Sequence, residues 1–174
     1  MNDNTELKNI KSELQQYIEE NYIHDVEDFA YSAPPPAGAL RCIVCACALP
    51  QINFQQMLDE ERGETFSEML MRLVRESGEK NSDIYKRANI DRRHFSKILC
   101  NTNYRPSKET ALAFAIALHL DFDTTQEFLA TAGYTLTKNN LSDVIITFFI
   151  KRKIFDINLV NEYLYEYKQA LLGG

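Results

Sequence analysis

The sequence predicts an all-α protein, and three observations carry that prediction. Apolar residues recur at three- and four-residue steps from residue 65 to residue 171. Capping residues (Ser, Thr, Asp, Asn) stand ahead of successive apolar stretches. No run alternates apolar and polar residues as a half-buried strand does. Six Gly and five Pro in 174 residues leave few breakers, which suits helices.

The first element is a helix over residues 5–23. Leu7, Ile10, Leu14, Ile18 and Tyr22 form one narrow apolar stripe, with Glu and Lys on the other faces. A seam this narrow needs a partner, either the main domain or a second chain. The prediction is a separate amphipathic helix over 1–24. Residues 25–63 lose the periodicity. Asp25, Glu27 and Asp28 are acidic, and Pro34, Pro35 and Pro36 cannot continue a helix. This stretch is expected to be an acidic, Pro-rich linker of low order.

An all-helical domain is predicted over 64–174. Thr65 and Glu68 have capping-box spacing, and Phe66, Met69, Leu70, Leu73 and Val74 follow on one face up to Gly78. Asn81 or Ser82 is expected to cap a short helix running to about Ala88. Asn89 sits at a tight turn, because Asn tolerates left-handed backbone. Asp91 caps the next helix, 91–99. There Phe95, Ile98 and Leu99 face inward, and Arg92, Arg93, His94 and Lys97 face outward. Ser107 caps a helix carrying Leu112, Ala115, Ile116 and Leu118. Asp123 is expected to cap another, with Phe128, Leu129 and Ala132 inside and Gly133 at its end. Two C-terminal helices complete 139–171. Leu141, Val144, Ile145, Phe148 and Phe149 line the first. Ile157, Val160, Leu164, Tyr167 and Leu171 line the second, capped by Asp156.

Charge singles out one segment. From Glu79 to Lys108, eight basic residues (Lys80, Lys86, Arg87, Arg92, Arg93, Lys97, Arg105, Lys108) face three acids (Glu79, Asp83, Asp91). That segment is +5 in a chain of −6, so the remainder carries −11. Basic charge gathered on one helical hairpin of an acidic protein is the electrostatic footprint of a nucleic-acid reader. The acidic balance elsewhere argues against coating nucleic acid or anionic membrane indiscriminately.

The order of short helices around Asn81–Ile98, NSDIYKRANIDRRHFSKI, resembles the lambda-repressor-like (phage repressor and Cro) helix-turn-helix family over about residues 65–136. The resemblance implies a five-helix bundle, here extended by the two C-terminal helices. Asn81 falls where that family usually has Gln. Ile90, Phe95 and Ile98 fall on core positions, and Asp91 on the N-cap of the recognition helix. Arg92, Arg93, His94 and Lys97 fall on the face that meets the major groove. Tyr85 stands where the family usually has Ala, so the helix pair must splay or the ring swing outward. Asn89 replaces the usual Gly. The segments ESGEKNSDIYKRANIDRRHFSKI, NYRPSKETALAFAIALHLDFDTTQEFLATAGYTL and SDVIITFFI also resemble a helical C-terminal domain of bacterial macro-domain proteins, over 64–172. That likeness implies an accessory domain keeping company with ADP-ribose chemistry or defence systems. It casts residues 1–63 as the tail of such an architecture, standing alone.

The leading expectation is a sequence-specific regulator of transcription that binds double-stranded DNA. Helix 91–99 enters the major groove. Arg92 and Arg93 suit guanine edges, and one of them a phosphate. Lys86, Lys97, Arg105 and Lys108, together with Lys80, suit the backbone, with Asn81 donating from a helix N-terminus. One module is small for tight binding, so a homodimer is expected. The competing reading is an accessory interaction module that docks an acidic protein on the same face, with Tyr85, Tyr104 and Tyr134 as interface aromatics.

Other chemistries find little support. Cys42, Cys45 and Cys47 include a CxxC without a second ligand pair, so buried reduced thiols are expected rather than a metal site. His24, His94 and His119 share no ligand spacing. His119, closing its helix, is placed to meet the last carbonyls. Walker, GxGxxG, GxSxG and HExxH motifs are absent, so neither an enzyme nor a cofactor is expected. No apolar run is long enough to span a bilayer, and the N-terminus lacks a signal-peptide core, so a cytoplasmic protein is expected.

Overall fold

Eight helices account for the regular structure of the computed structural model, which describes residues 3–23 and 63–173, with side chains from residue 9. They are α1 (Asp3–Asn21), α2 (Phe66–Ser77), α3 (Asn81–Arg87), α4 (Arg92–Cys100), α5 (Lys108–Ala117), α6 (Phe122–Thr131), α7 (Leu141–Lys151) and α8 (Ile157–Glu166). No strand occurs among the described residues. The expected linker, His24 and Cys42–Cys47 lie outside them.

Most helix ends follow from the expected caps. The Thr65 hydroxyl accepts from the Glu68 amide, and the Glu68 carboxylate accepts from the Thr65 amide at 2.9 Å. Such a reciprocal pair satisfies two N–H groups that the first turn leaves without partners. Gly78 closes α2 at φ 67°. Asp91, Ser107, Asn140 and Asp156 each cap the helix that follows.

Two caps differ from expectation. Lys80 occupies the N-cap of α3 without a side-chain bond, and Asn81 is already helical. Asp121, not Asp123, caps α6 by accepting from the Thr124 amide at 2.9 Å. The chain reverses earlier than expected because His119 adopts φ 55° and Leu120 turns inward to 9% exposure.

Helix α5 is the centre of the core. All of its residues from Thr110 to Ala117 are buried, rather than the single face the periodicity suggested. It touches α3, α6 and α8, so no side of it is left for water. Phe114 meets Phe95 at 5.7 Å between ring centroids, and Phe66 meets Phe128 at 4.6 Å. Burying each such ring contributes roughly 2 kcal/mol or more.

The first helix is not separate. Leu14 is fully buried, and Ile10, Tyr17 and Ile18 pack partly buried against the same core. Tyr17 meets Phe148 of α7 at 5.4 Å. Ion pairs Lys11–Glu166 and Arg152–Glu13 flank the seam. Left in water, the apolar stripe would forfeit this burial, and α7 supplies the face that covers it.

The last helix ends five residues before Leu171, which is 48% exposed. Leu172 enters the core instead, at 3%. Asn161 clamps it from both sides: its carbonyl accepts from the Leu172 amide at 2.7 Å, and its amide donates to the Leu172 carbonyl at 3.1 Å.

Candidate nucleic-acid interface

The hairpin of α3 and α4 is set by a few buried residues. Ile84, Ala88, Ile90, Phe95 and Ile98 point into the core. Asn89 takes the left-handed conformation expected of it, φ 52°, and the Ile90 amide donates to the Tyr85 carbonyl at 2.9 Å. The Asp91 carboxylate accepts from the Arg93 amide at 2.6 Å and starts α4. The far end of α4 is tied to α2 by the buried Ser67, whose hydroxyl donates to the Ile98 carbonyl at 2.7 Å.

Tyr85 does not swing into solvent. Its ring is half-buried, 5.6 Å from that of Phe95. The large side chain at this position is absorbed by an aromatic contact across the hairpin.

With the apolar face of α4 fixed inward, the period of the helix turns Arg92, Arg93, Ser96 and Lys97 outward, and all four are exposed. Asn81, Lys86 and Arg105 are exposed as well. Among the described residues no carboxylate lies within ion-pair distance of Lys80, Lys86, Arg92, Arg93, Lys97 or Arg105. Most nearby acids are engaged elsewhere, Glu64 and Glu76 with Arg72, Glu79 with Arg87, and Asp91 with its helix, while the exposed Asp83 of α3 accepts from the Ser82 hydroxyl at 3.1 Å.

Four basic or titratable residues are held differently from expectation. His94 is half-buried, and its Nε2 lies 3.1 Å from the Tyr104 hydroxyl. Lys97 places its ammonium over the same ring, 5.3 Å from the centroid. His94 thereby braces the loop that carries Arg105. Lys108 turns inward, with Nζ 2.7 Å from Asp143, whose side chain is 2% exposed. The same carboxylate accepts from the Thr137 amide at 3.0 Å. Lys108 therefore anchors α5 to α7 and is not part of the free basic face. Arg87 also turns to the body of the protein, donating to the Ala117 carbonyl at 2.8 Å and lying 3.3 Å from His119 Nε2. The carbonyl expected to meet His119 is met by this arginine, while His119 stacks on Phe155.

One cation escaped the sequence reading. Arg75, in the last turn of α2, is exposed, has no ion-pair partner among the described residues, and lines the same notch as Asn81 of α3. It precedes the charge-rich segment, and the packing of α2 against α4 brings it beside that segment. Among the described residues no group of three or more His, Cys, Asp or Glu is placed to hold a metal ion, and no helix is long and apolar enough to cross a membrane.

Compared with protein-family models, curated proteins and solved structures, the chain matches none.

Proposed function

We propose that residues 65–136 form a lambda-repressor-like helix-turn-helix unit and that the protein is a non-catalytic, cytoplasmic regulator that binds double-stranded DNA. Helix α4 is the reading helix, and α7 and α8 extend the unit into an accessory helical domain of the kind that accompanies macro domains. The observation that carries this reading is the exposed row Arg92, Arg93 and Lys97, with no carboxylate among the described residues paired to it, on a helix whose opposite face is buried. Arg92 and Arg93 supply guanidinium forks for guanine edges, with one of them on a phosphate. Lys80, Lys86, Lys97 and Arg105 supply phosphate contacts, and Asn81 adds a neutral donor. His94 acts through Tyr104 as a positioning residue. A homodimer on two half-sites provides the area that one module lacks.

Binding to sheared genomic duplex DNA across a salt series tests this. The four phosphate contacts and the one from an α4 arginine predict a log–log slope of roughly −4 to −5 per monomer. Arg92→Ala/Arg93→Ala is expected to weaken binding at least tenfold, on the order of 1–3 kcal/mol per lost bidentate contact. Absence of binding at low salt, or binding indifferent to the double substitution, refutes the proposal.

A further inference from the structure

Beside the basic face lies an apolar notch that DNA has no use for. It measures about 120 Å³ and is lined by Met71, Val74 and Arg75 of α2, Asn81 of α3, and Phe95 and Leu99 of α4. Its size approaches that of the roughly 150 Å³ apolar cavity that holds a benzene ring. Its walls are largely apolar, and Arg75 is the one cation among its lining residues. No carboxylate among the described residues pairs with Arg75. Arg92, exposed one turn before Phe95, and Lys80, exposed beside Asn81, flank these lining residues in sequence. Phosphates would satisfy these cations and leave the apolar floor empty. A ligand complementary to both parts carries negative charge around one apolar side chain.

We infer that this notch docks an acidic peptide segment of a protein partner, with a single Phe or Leu inserted between Val74, Phe95 and Leu99. The anchor side chain displaces water from an apolar floor, and its acidic neighbours meet Arg75, Arg92 and Lys80. This is the arrangement of a small interface with one desolvated anchor and a charged rim. The docking stands whether or not α4 binds DNA. Because Arg92 belongs to both surfaces, a peptide seated here opposes DNA at the same helix.

The test uses the full chain and short acetylated peptides of Asp and Glu around one central Phe, with a central-Ala peptide of equal charge as control. Backbone amide shifts of Val74, Phe95 and Leu99 report the notch. The Phe peptide is expected to shift them saturably, and the Ala peptide to bind at least about tenfold more weakly. Arg75→Glu should abolish the shifts and lower the melting temperature by no more than a few degrees, the loss of one cation from a helix C-terminus, since Arg75 is exposed and has no ion-pair partner among the described residues. Met71→Trp, filling the notch from its half-buried wall, should abolish them as well. Equal binding of the two peptides, or shifts confined to lysines outside the notch, overturns the inference. If duplex DNA moves these three amides and the peptide does not, the notch belongs to a nucleic-acid surface and the inference also falls.

Discussion

Gly173 rests against Asn89, in the turn between α3 and α4. A Cβ built on Gly173 would stand 2.9 Å from the Asn89 carbonyl oxygen and 3.2 Å from that of Ala88. The backbone of Gly173 is also left-handed, at φ 96°. The C-terminal tail held by Asn161 therefore touches the turn that orients α4.

A side chain at Gly173 should cost more than one at Gly133, although both have positive φ. Gly133 has nothing within 4 Å of its missing Cβ, so Gly133→Ala carries only the left-handed penalty, about 1–2 kcal/mol. Gly173→Ala adds a clash with backbone and is expected to cost roughly 1 kcal/mol more. Urea midpoints measure the difference. Hydrogen exchange should show the Ile90 amide opening faster in Gly173→Ala alone. Equal losses would mean that the tail leaves the turn untouched.

The Lys108–Asp143 pair should behave as a structural lock. Removing only the ammonium, as in Lys108→Met, leaves a buried carboxylate without its counter-charge. The expected loss is about 3 kcal/mol, at the lower end for broken buried pairs because Lys108 keeps 23% exposure. Lys108→Met/Asp143→Asn should recover much of it, since Asn still accepts from Thr137. The salt slope of DNA binding should change by less than about one in either variant. A full unit of lost slope would return Lys108 to the phosphate-binding set.

Asp121 should make stability depend on acid. The Thr124 hydroxyl, and next the Thr124 amide, donate to its carboxylate and hold its pKa below the ordinary carboxylate value. A lowered native pKa means that the unfolded chain binds the proton more readily. The contribution is therefore complete above the unfolded value, about 3.9, and is lost as pH falls through the lower native one. Carbon-detected titration of Asp121 should give a midpoint below 3.9. Asp121→Asn should flatten the acid limb of the stability profile, and an unchanged limb would contradict the assignment.

Much of the helical layout was legible in the residues themselves. Capping and apolar spacing are local, and local rules suffice for Thr65 with Glu68, for Asn89 at φ 52°, and for Asp91, Ser107 and Asp156 as caps. The inward and outward sides of α4 follow from its period once Phe95 and Ile98 are recognised as core. The cap expected at Asp123 falls instead on Asp121, one residue after the buried Leu120.

Only the tertiary structure decided which charges remain free and what the narrow stripe of α1 covers. Lys108 and Arg105 look alike in sequence, yet one reaches a buried Asp143 that is thirty-five residues away and the other stays in water. Arg75 reaches the basic face, and Arg87 leaves it for Glu79 and Ala117, by contacts between helices that sequence spacing does not encode. Helix period dictates which side of a helix is apolar. Which cation loses its solvent depends on the carboxylate or carbonyl that packing sets opposite it, because charge interacts through space rather than along the chain.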